Sequence, residues 1–109
     1  MAALKTWKSP LDPSEIKDYD HDFKPELLRT GDTLETSTFI LPADAATAGL
    51  EIASQTKTTY GGVVFFQVAS DKQTDAAWEA GASFDIRHQI TTTGGRTYER
   101  SIRLTIKQQ

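Results

Sequence analysis

The C-terminal part of the chain, from Ala82 to Lys107, carries the pattern that most constrains the fold. It reads ASFDIRHQIT, then TTGGRT, then YERSIRLTIK, so apolar and polar residues alternate on both sides of a glycine pair. Alternation with a period of two is typical of β-strands that bury one face and expose the other. Gly94-Gly95 suits a hairpin turn whose central residues take positive φ. Because a long amphipathic hairpin needs a covering layer for its apolar face, the pattern predicts a small β-sandwich.

Turn signals at short intervals divide the rest of the chain into further strand-like segments. The first strand begins at Lys17 and has an aromatic inner face. Residues 33–41 are β-rich, and a change of apolar parity indicates either a bulge near Glu35-Thr36 or a crossover at the end of the strand. Val63 to Val68 is the most apolar run, which predicts a central strand or one whose outer face a neighbour covers. We therefore expect about seven strands in an all-β, antiparallel, single-domain sandwich.

The inward positions of these strands define the predicted core. We also expect Trp78, in a loop over residues 70–81, to fold back onto it. The predicted core residues of the strands are Tyr19, Phe23, Phe39, Phe65, Phe84, Ile86, Ile90, Ile102, Leu104 and Ile106.

Length and composition limit the class of protein. The chain has 109 residues, the size of one domain with a single core. It contains no cysteine, which excludes disulfides and cysteine-ligated metals. No apolar run approaches the roughly 18 residues that span a membrane, and the N-terminal MAALKTWKSP lacks the apolar segment of a signal peptide. We expect neither membrane association nor export by the general secretory route.

The net charge of −3 is distributed unevenly along the chain. Residues 1–44 carry nine acidic and five basic side chains, a balance of −4, and residues 45–80 have a balance of −2. Residues 81–109 carry two acidic and five basic side chains, a balance of +3. Either the acidic part of one subunit meets the basic part of the next, or the charges are only solvated.

Residues 1–16 contain two prolines and few apolar side chains, which predicts an extended N-terminal arm ahead of a sandwich domain of residues 17–109. Trp7 and Leu11 are bulky apolar groups within this arm. A disordered tail has little use for an indole, so Trp7 indicates docking. Our hypothesis is that the arm crosses to an adjacent chain with Trp7 as its anchor; a frayed terminus is the alternative.

Three aspartates, Asp18, Asp20 and Asp22, have the spacing of the first ligands in a calcium loop. The sixth position of such a loop is Phe23 in place of glycine, and the twelfth is Arg29 in place of a bidentate glutamate, which excludes an EF-hand. These aspartates are interpreted first as a solvated acidic strand face, with an interface site or a looser calcium site as the alternatives.

No other group of residues has the pattern of an active site. His21 and His88 fall on inward positions, but no third residue has metal-ligand spacing, so His88 is expected to hydrogen-bond across the sandwich. The chain has no Gly-x-Ser-x-Gly elbow, no glycine-rich loop that opens a helix and no framed carboxylate pair. We expect no catalysis, no cofactor and no metal.

Four arginines of the C-terminal hairpin predict a basic stripe on its outer face, suited to an acidic protein partner. Direct nucleic-acid binding is not expected, because it would need interleaved aromatic residues and a stronger positive balance, and Tyr98 alone is available. The predicted partner-binding residues are Trp7, Leu11, Asp18, Asp20, Asp22, Arg87, Arg96, Arg100 and Arg103.

Short motifs occur along nearly the whole chain. They are Asp12-Pro13, Asp18-Tyr19, Asp22-Phe23, Gly31-Asp32-Thr33, Phe39 with Pro42, Ala80-Gly81 with Phe84, and Gly95-Arg96. In this order they resemble a family of small structural proteins of tailed bacteriophages, the fiber-tail adaptor or neck proteins. Residues 51–78 match that family poorly, and they are interpreted as an elaboration for one particular partner.

The resemblance implies an immunoglobulin-like fold and a non-enzymatic virion component that is made and assembled in the host cytoplasm. It also implies contacts with other virion proteins and with copies of itself. One interpretation is a neck or adaptor protein between the head–tail connector and the tail or fibers; another is a decoration protein of the capsid. A third function, carbohydrate binding by a platform of Tyr60, Trp78 and Tyr98, comes from the residues and not from the resemblance.

Overall fold

Alternating apolar residues fold about half of the chain into strands, as seen in a computed structural model that describes residues 5–109. The strands are β1 (Lys5–Thr6), β2 (Lys17–Asp22), β3 (Leu34–Ile40), β4 (Leu50–Lys57), β5 (Gly61–Val68), β6 (Ala82–Thr92) and β7 (Thr97–Ile106). Short helices connect them: α1 (Lys24–Thr30), α2 (Ala43–Ala48), a 3-10 turn (Ser70–Lys72) and α3 (Ala77–Ala80). None of the helices within residues 5–109 is long and apolar enough to cross a membrane.

The strands form two sheets. One has the order β1-β7-β6-β3 and is called sheet A; the other has the order β2-β5-β4 and is called sheet B. Neighbouring strands are antiparallel except β1, which runs parallel to β7. The predicted all-β sandwich is therefore confirmed. Six of the strands pair in an order that also occurs in immunoglobulin domains, β2-β5-β4 and β7-β6-β3, but β1 lies beside β7 and not in the sheet of β2.

The predicted C-terminal hairpin is present as β6 and β7, which pair from Thr91 opposite Thr97 to Ala82 opposite Ile106. In its turn only Gly95 takes a positive φ, of 85°. The predicted bulge in β3 is present as well, as a register shift between Leu34 and Thr36.

The core lies between the sheets. Of the residues that were predicted to form it, all except Phe65 are buried. Phe65 is 38% exposed, and its neighbour Phe66 is fully buried instead. The prediction was wrong because β5 is apolar on both faces, so its alternation does not show which side faces inward. Trp78 folds back onto the core as expected and is 1% exposed.

Helix α1, which contains Pro25, was not among the elements expected from the sequence. The proline lies in the first turn of α1, where its missing N–H costs nothing, and the helix ends at Gly31 with φ of 67°. The helix places Leu27 in a small second part of the core and leaves Leu28 58% exposed.

The N-terminal segment differs from the free arm that was expected. The backbone N–H of Trp7 donates to the carbonyl of Arg103 (3.0 Å), and that of Leu11 donates to Thr105 (2.9 Å). The N–H of Lys107 donates back to the carbonyl of Leu11 (3.0 Å). From Lys5 to Leu11 the segment therefore lies along the β7 edge of its own domain, while residues 1–4 of the predicted arm are outside the described residues.

Candidate interaction surfaces

The outward side chains of β6 and β7 pair with each other across the strands. Arg87 Nη2 lies 2.9 Å from Glu99 Oε1, and Arg103 Nε lies 3.2 Å from Asp85 Oδ1. The bond to Arg87 holds the pKa of the Glu99 carboxyl below its ordinary value. We call this surface the paired face. Because each of these cations neighbours its own carboxylate, the face offers little net charge to a partner.

The other two arginines of the predicted basic stripe are also paired. Arg96 Nη1 lies 3.0 Å from Asp32 Oδ2, and Arg100 Nη2 lies 3.2 Å from Glu26 Oε2. The Arg100 guanidinium also lies over the ring of Phe23, 5.8 Å from its centroid. All four arginines that were predicted to bind a partner thus have acidic neighbours within the chain.

Asp32 joins two turns of the sandwich and was missed as a key residue in the sequence. Its Oδ1 accepts the backbone N–H of Gly94 (2.9 Å) and the Thr93 hydroxyl (3.2 Å), in addition to the Arg96 contact on Oδ2. Interaction with the Thr92 side chain contributes most to holding the pKa of Asp32 below its usual range. The backbone N–H groups of Thr33 and Gly94 and the Arg96 side chain lower this pKa further, against the cost of desolvation. The signal in the sequence was the Gly-Asp-Thr motif before β3.

The outer surface of sheet B differs from the paired face. Residues that pair directly across its strands include Asp18 opposite Phe65, Asp20 opposite Val63, and Phe65 opposite Ser54. None of the side chains on this surface is a cation. We call it the acidic face, and it consists of Asp18, Asp20 and Asp22 of β2, Val63, Phe65 and Gln67 of β5, and Glu51, Ser54 and Thr56 of β4.

An exposed apolar side chain lies at the centre of the acidic face, and another precedes β2 in the chain. Phe65 is 38% exposed in the middle strand. Ile16, two residues before Asp18 in the chain, is 65% exposed. The residues that the sequence predicted to bind a partner include the aspartates of this surface but neither Phe65 nor Ile16.

Trp7 and Leu11, both predicted to anchor the chain to a partner, pack within their own domain. The Trp7 ring lies 5.1 Å from Tyr19 and 5.8 Å from Phe66, measured between centroids. Its Nε1–H donates to the carbonyl of Asp20 (2.8 Å). Leu11 is fully buried in the core. Aromatic residues at the sandwich edge thus provide within the chain the docking site that was expected on a neighbour.

Two buried histidines connect the sheets. His21 Nδ1 lies 2.8 Å from His88 Nδ1, and His88 Nε2 lies 2.8 Å from Ser37 Oγ. The His88 ring stacks on Phe39 at 3.9 Å. His88 therefore bonds across the sandwich, as predicted. Desolvation lowers the pKa of His21 to about 4, with a further contribution from Lys5. Desolvation, together with His21, lowers that of His88 to about 3.

The tautomers of this pair follow from the one atom that has no partner, Nε2 of His21. If His21 Nδ1–H donates to His88, then Nε2 is an acceptor without a donor and His88 Nε2–H donates to Ser37. The opposite assignment would bury an N–H donor without an acceptor, which is rarer in proteins. The pair is neutral and structural, and no group of three or more His, Cys, Asp or Glu in residues 5–109 could hold a metal ion.

The stacking platform that was considered for sugars, Tyr60, Trp78 and Tyr98, lacks an exposed tryptophan. Trp78, proposed as part of a stacking platform, is buried, and its Nε1–H donates to the carbonyl of Lys72 (2.8 Å). An open groove of about 720 Å³ lies between α1 and the β4–β5 turn, lined by residues that include Leu28, Lys57 and Tyr60.

Comparison with known proteins identifies the relatives of this chain. A family profile described as "Podophage GP4 fiber-tail adaptor protein gp77" matches residues 11–105. No curated protein matches the chain. The matched segment begins at Leu11, in the N-terminal edge segment, and continues almost to the end of β7. Since it spans most of the sequence, the chain belongs to the podophage GP4 fiber-tail adaptor family.

Proposed function

We propose that this protein is a non-enzymatic component of a podophage virion, an adaptor at the neck between the head–tail connector and the tail or its fibers. The observation that carries the proposal is the family match over residues 11–105. Its partners are then other virion proteins and copies of the same chain, and it is assembled into particles in the host cytoplasm.

The surface chemistry supports an adaptor over an enzyme. The buried polar side chains His21, His88 and Thr92 each hydrogen-bond to another protein group, and within residues 5–109 only Nε2 of His21 is buried without a partner. Exposed charges on the paired face neutralise one another, whereas the acidic face has no cation of its own. Two chemically different surfaces on opposite sides of one small sandwich suit a protein that contacts two neighbours.

The position in the virion is tested by counting copies. Quantitative mass spectrometry of purified particles is expected to give about six or twelve copies per virion, as in a ring at the neck. Hundreds of copies would contradict the neck position and favour decoration of the capsid. Absence from washed, infectious particles would overturn the proposal as a whole.

A further inference from the structure

We propose that the acidic face is a docking surface for another virion protein, one that presents an apolar patch rimmed by lysine or arginine. This inference rests on the proposed function, since it names the contact that an adaptor would make. The residues that carry it are Asp18, Asp20, Val63, Phe65 and Glu51.

The centre of the acidic face has the composition of a covered sheet. Along β5, both the inward residues and the outward Val63 and Phe65 are apolar. The paired face shows the usual alternative, because the outward residues of its central strand include Asp85 and Arg87. Strands that are apolar on both faces are typical of sheets buried on both sides. Phe65, at 38% exposed, thus lies where a covering layer is expected.

The rim of the acidic face specifies the charge of the partner. Asp18 and Asp20 project from the same side of β2, about 7 Å apart at strand spacing. Within residues 5–109, neither carboxylate forms a salt bridge. Like charges at this spacing repel each other, so a partner that brings cations to them relieves the repulsion and gains attraction. Glu51 adds another carboxylate at the opposite edge of the sheet.

Pairing of this face with the same face of a second copy is disfavoured. A twofold contact would bring the carboxylates of one acidic face against the acidic face of the other chain, with no cation between them. The arginines of the paired face are already matched by Glu99 and Asp85, so that surface is not a basic counterpart either. A different protein with uncompensated cations fits better.

The area of the acidic face determines whether the contact can be measured with one copy of the protein or only in the assembled particle. Three strands about 4.8 Å apart and about seven residues long cover roughly 300 Å². A stable protein–protein interface takes about 800 Å² from each partner. One copy alone is therefore expected to bind weakly, whereas many copies held in a symmetric particle bind together. The test belongs in the assembled virion.

The first experiment places a photo-cross-linking phenylalanine analogue at position 65 in phage particles. The control carries the same analogue at position 38, on the outer surface of sheet A, where Thr38 is exposed. Position 65 is expected to cross-link to a different virion protein, within a lysine- or arginine-containing peptide, and position 38 is expected not to form that cross-link. If the protein is in the particle but position 65 links only to copies of itself or to nothing, this inference fails and the proposed function stands. If the protein is absent from particles, both fail.

The second experiment removes charge from the acidic face. The double variant Asp18→Asn/Asp20→Asn competes with the wild-type chain for incorporation into particles, and the control Asp71→Asn/Glu79→Gln removes two charges elsewhere. We expect roughly tenfold less incorporation for the first variant and no change for the control. Equal incorporation of both, or an equal loss in both, would overturn the role of this face. Thermal unfolding of each purified variant verifies that its fold is intact.

Discussion

The outward side chains of β6 and β7 form cross-strand ion pairs, whereas those of sheet B combine carboxylates with apolar groups and include no cation. The sequence predicted a basic C-terminal stripe as one contact surface, beside the N-terminal arm and the aspartates of β2. The fold supplies each stripe arginine with an acid, and two of those acids, Asp32 and Glu26, come from the N-terminal half. Charge counted along a chain is therefore a poor measure of the charge that a partner meets.

The largest expected effect tests the inner and outer sides of sheet B. Phe66→Ala is expected to lower the free energy of unfolding by about 3–5 kcal/mol, because it leaves a cavity in the core. Phe65→Ala, one residue away on the acidic face, is expected to cost less than about 1 kcal/mol. Urea unfolding of the two purified variants measures both values. Equal losses would mean that the acidic face is not a free surface.

The next effect concerns the histidines between the two sheets. His21 and His88 have folded pKa values of about 4 and about 3, below the ordinary 6.5. Between the folded and the ordinary pKa of each histidine, the unfolded chain therefore binds more protons than the folded chain does. The free energy of unfolding is therefore unaffected by the two histidines above about pH 6.5, and it decreases as the pH falls below that value. At pH 5 each histidine is expected to lower the free energy of unfolding by about 2 kcal/mol relative to neutral pH. Unfolding measured from pH 7 to pH 5 checks the slope, and His21→Gln should reduce it; an unchanged slope would contradict the role of the pair.

A smaller effect tests whether the N-terminal segment packs on its own domain or on a neighbouring chain. Trp7→Ala is expected to destabilise the isolated protein by about 2 kcal/mol, because the half-buried indole packs on Tyr19 and Phe66. Trp7→Phe, which retains a ring, should lose less. If unfolding of the dilute monomer is unchanged by Trp7→Ala, the segment acts on another chain, as the sequence alone suggested.

The smallest effect is expected on the paired face. Asp85 and Arg103 are about half exposed, at 52% and 49% of their side-chain surface, so solvent screens their attraction. A double-mutant cycle with Asp85→Asn and Arg103→Gln is expected to give a coupling energy below about 1 kcal/mol. A much larger coupling would show that the paired face is rigid and desolvated, and the contrast between the two faces would then be smaller than we infer.

The predictable parts of the fold are those that follow from the local periodicity of apolar residues. The hairpin of β6 and β7, the bulge before Thr36 and the inward position of His88 each follow from alternation within about ten residues. Helix α1 was missed because it is only seven residues long, and its proline gives the same signal at the end of a strand as in the first turn of a helix. Phe65 was misplaced because alternation carries no direction when both faces are apolar.

By itself, the sequence determined a β-sandwich of one domain, its main hairpin and most of its core, because burial imposes a period of two on neighbouring residues. Only the tertiary structure decided which face of β5 is exposed, where the N-terminal segment lies and which charges remain unmatched. These depend on contacts between distant residues: Arg96 meets Asp32 across 64 positions, and Trp7 donates to Asp20 across 13. Local patterns do not predict such pairings, since these form only when segments that are distant in the sequence come together in the fold.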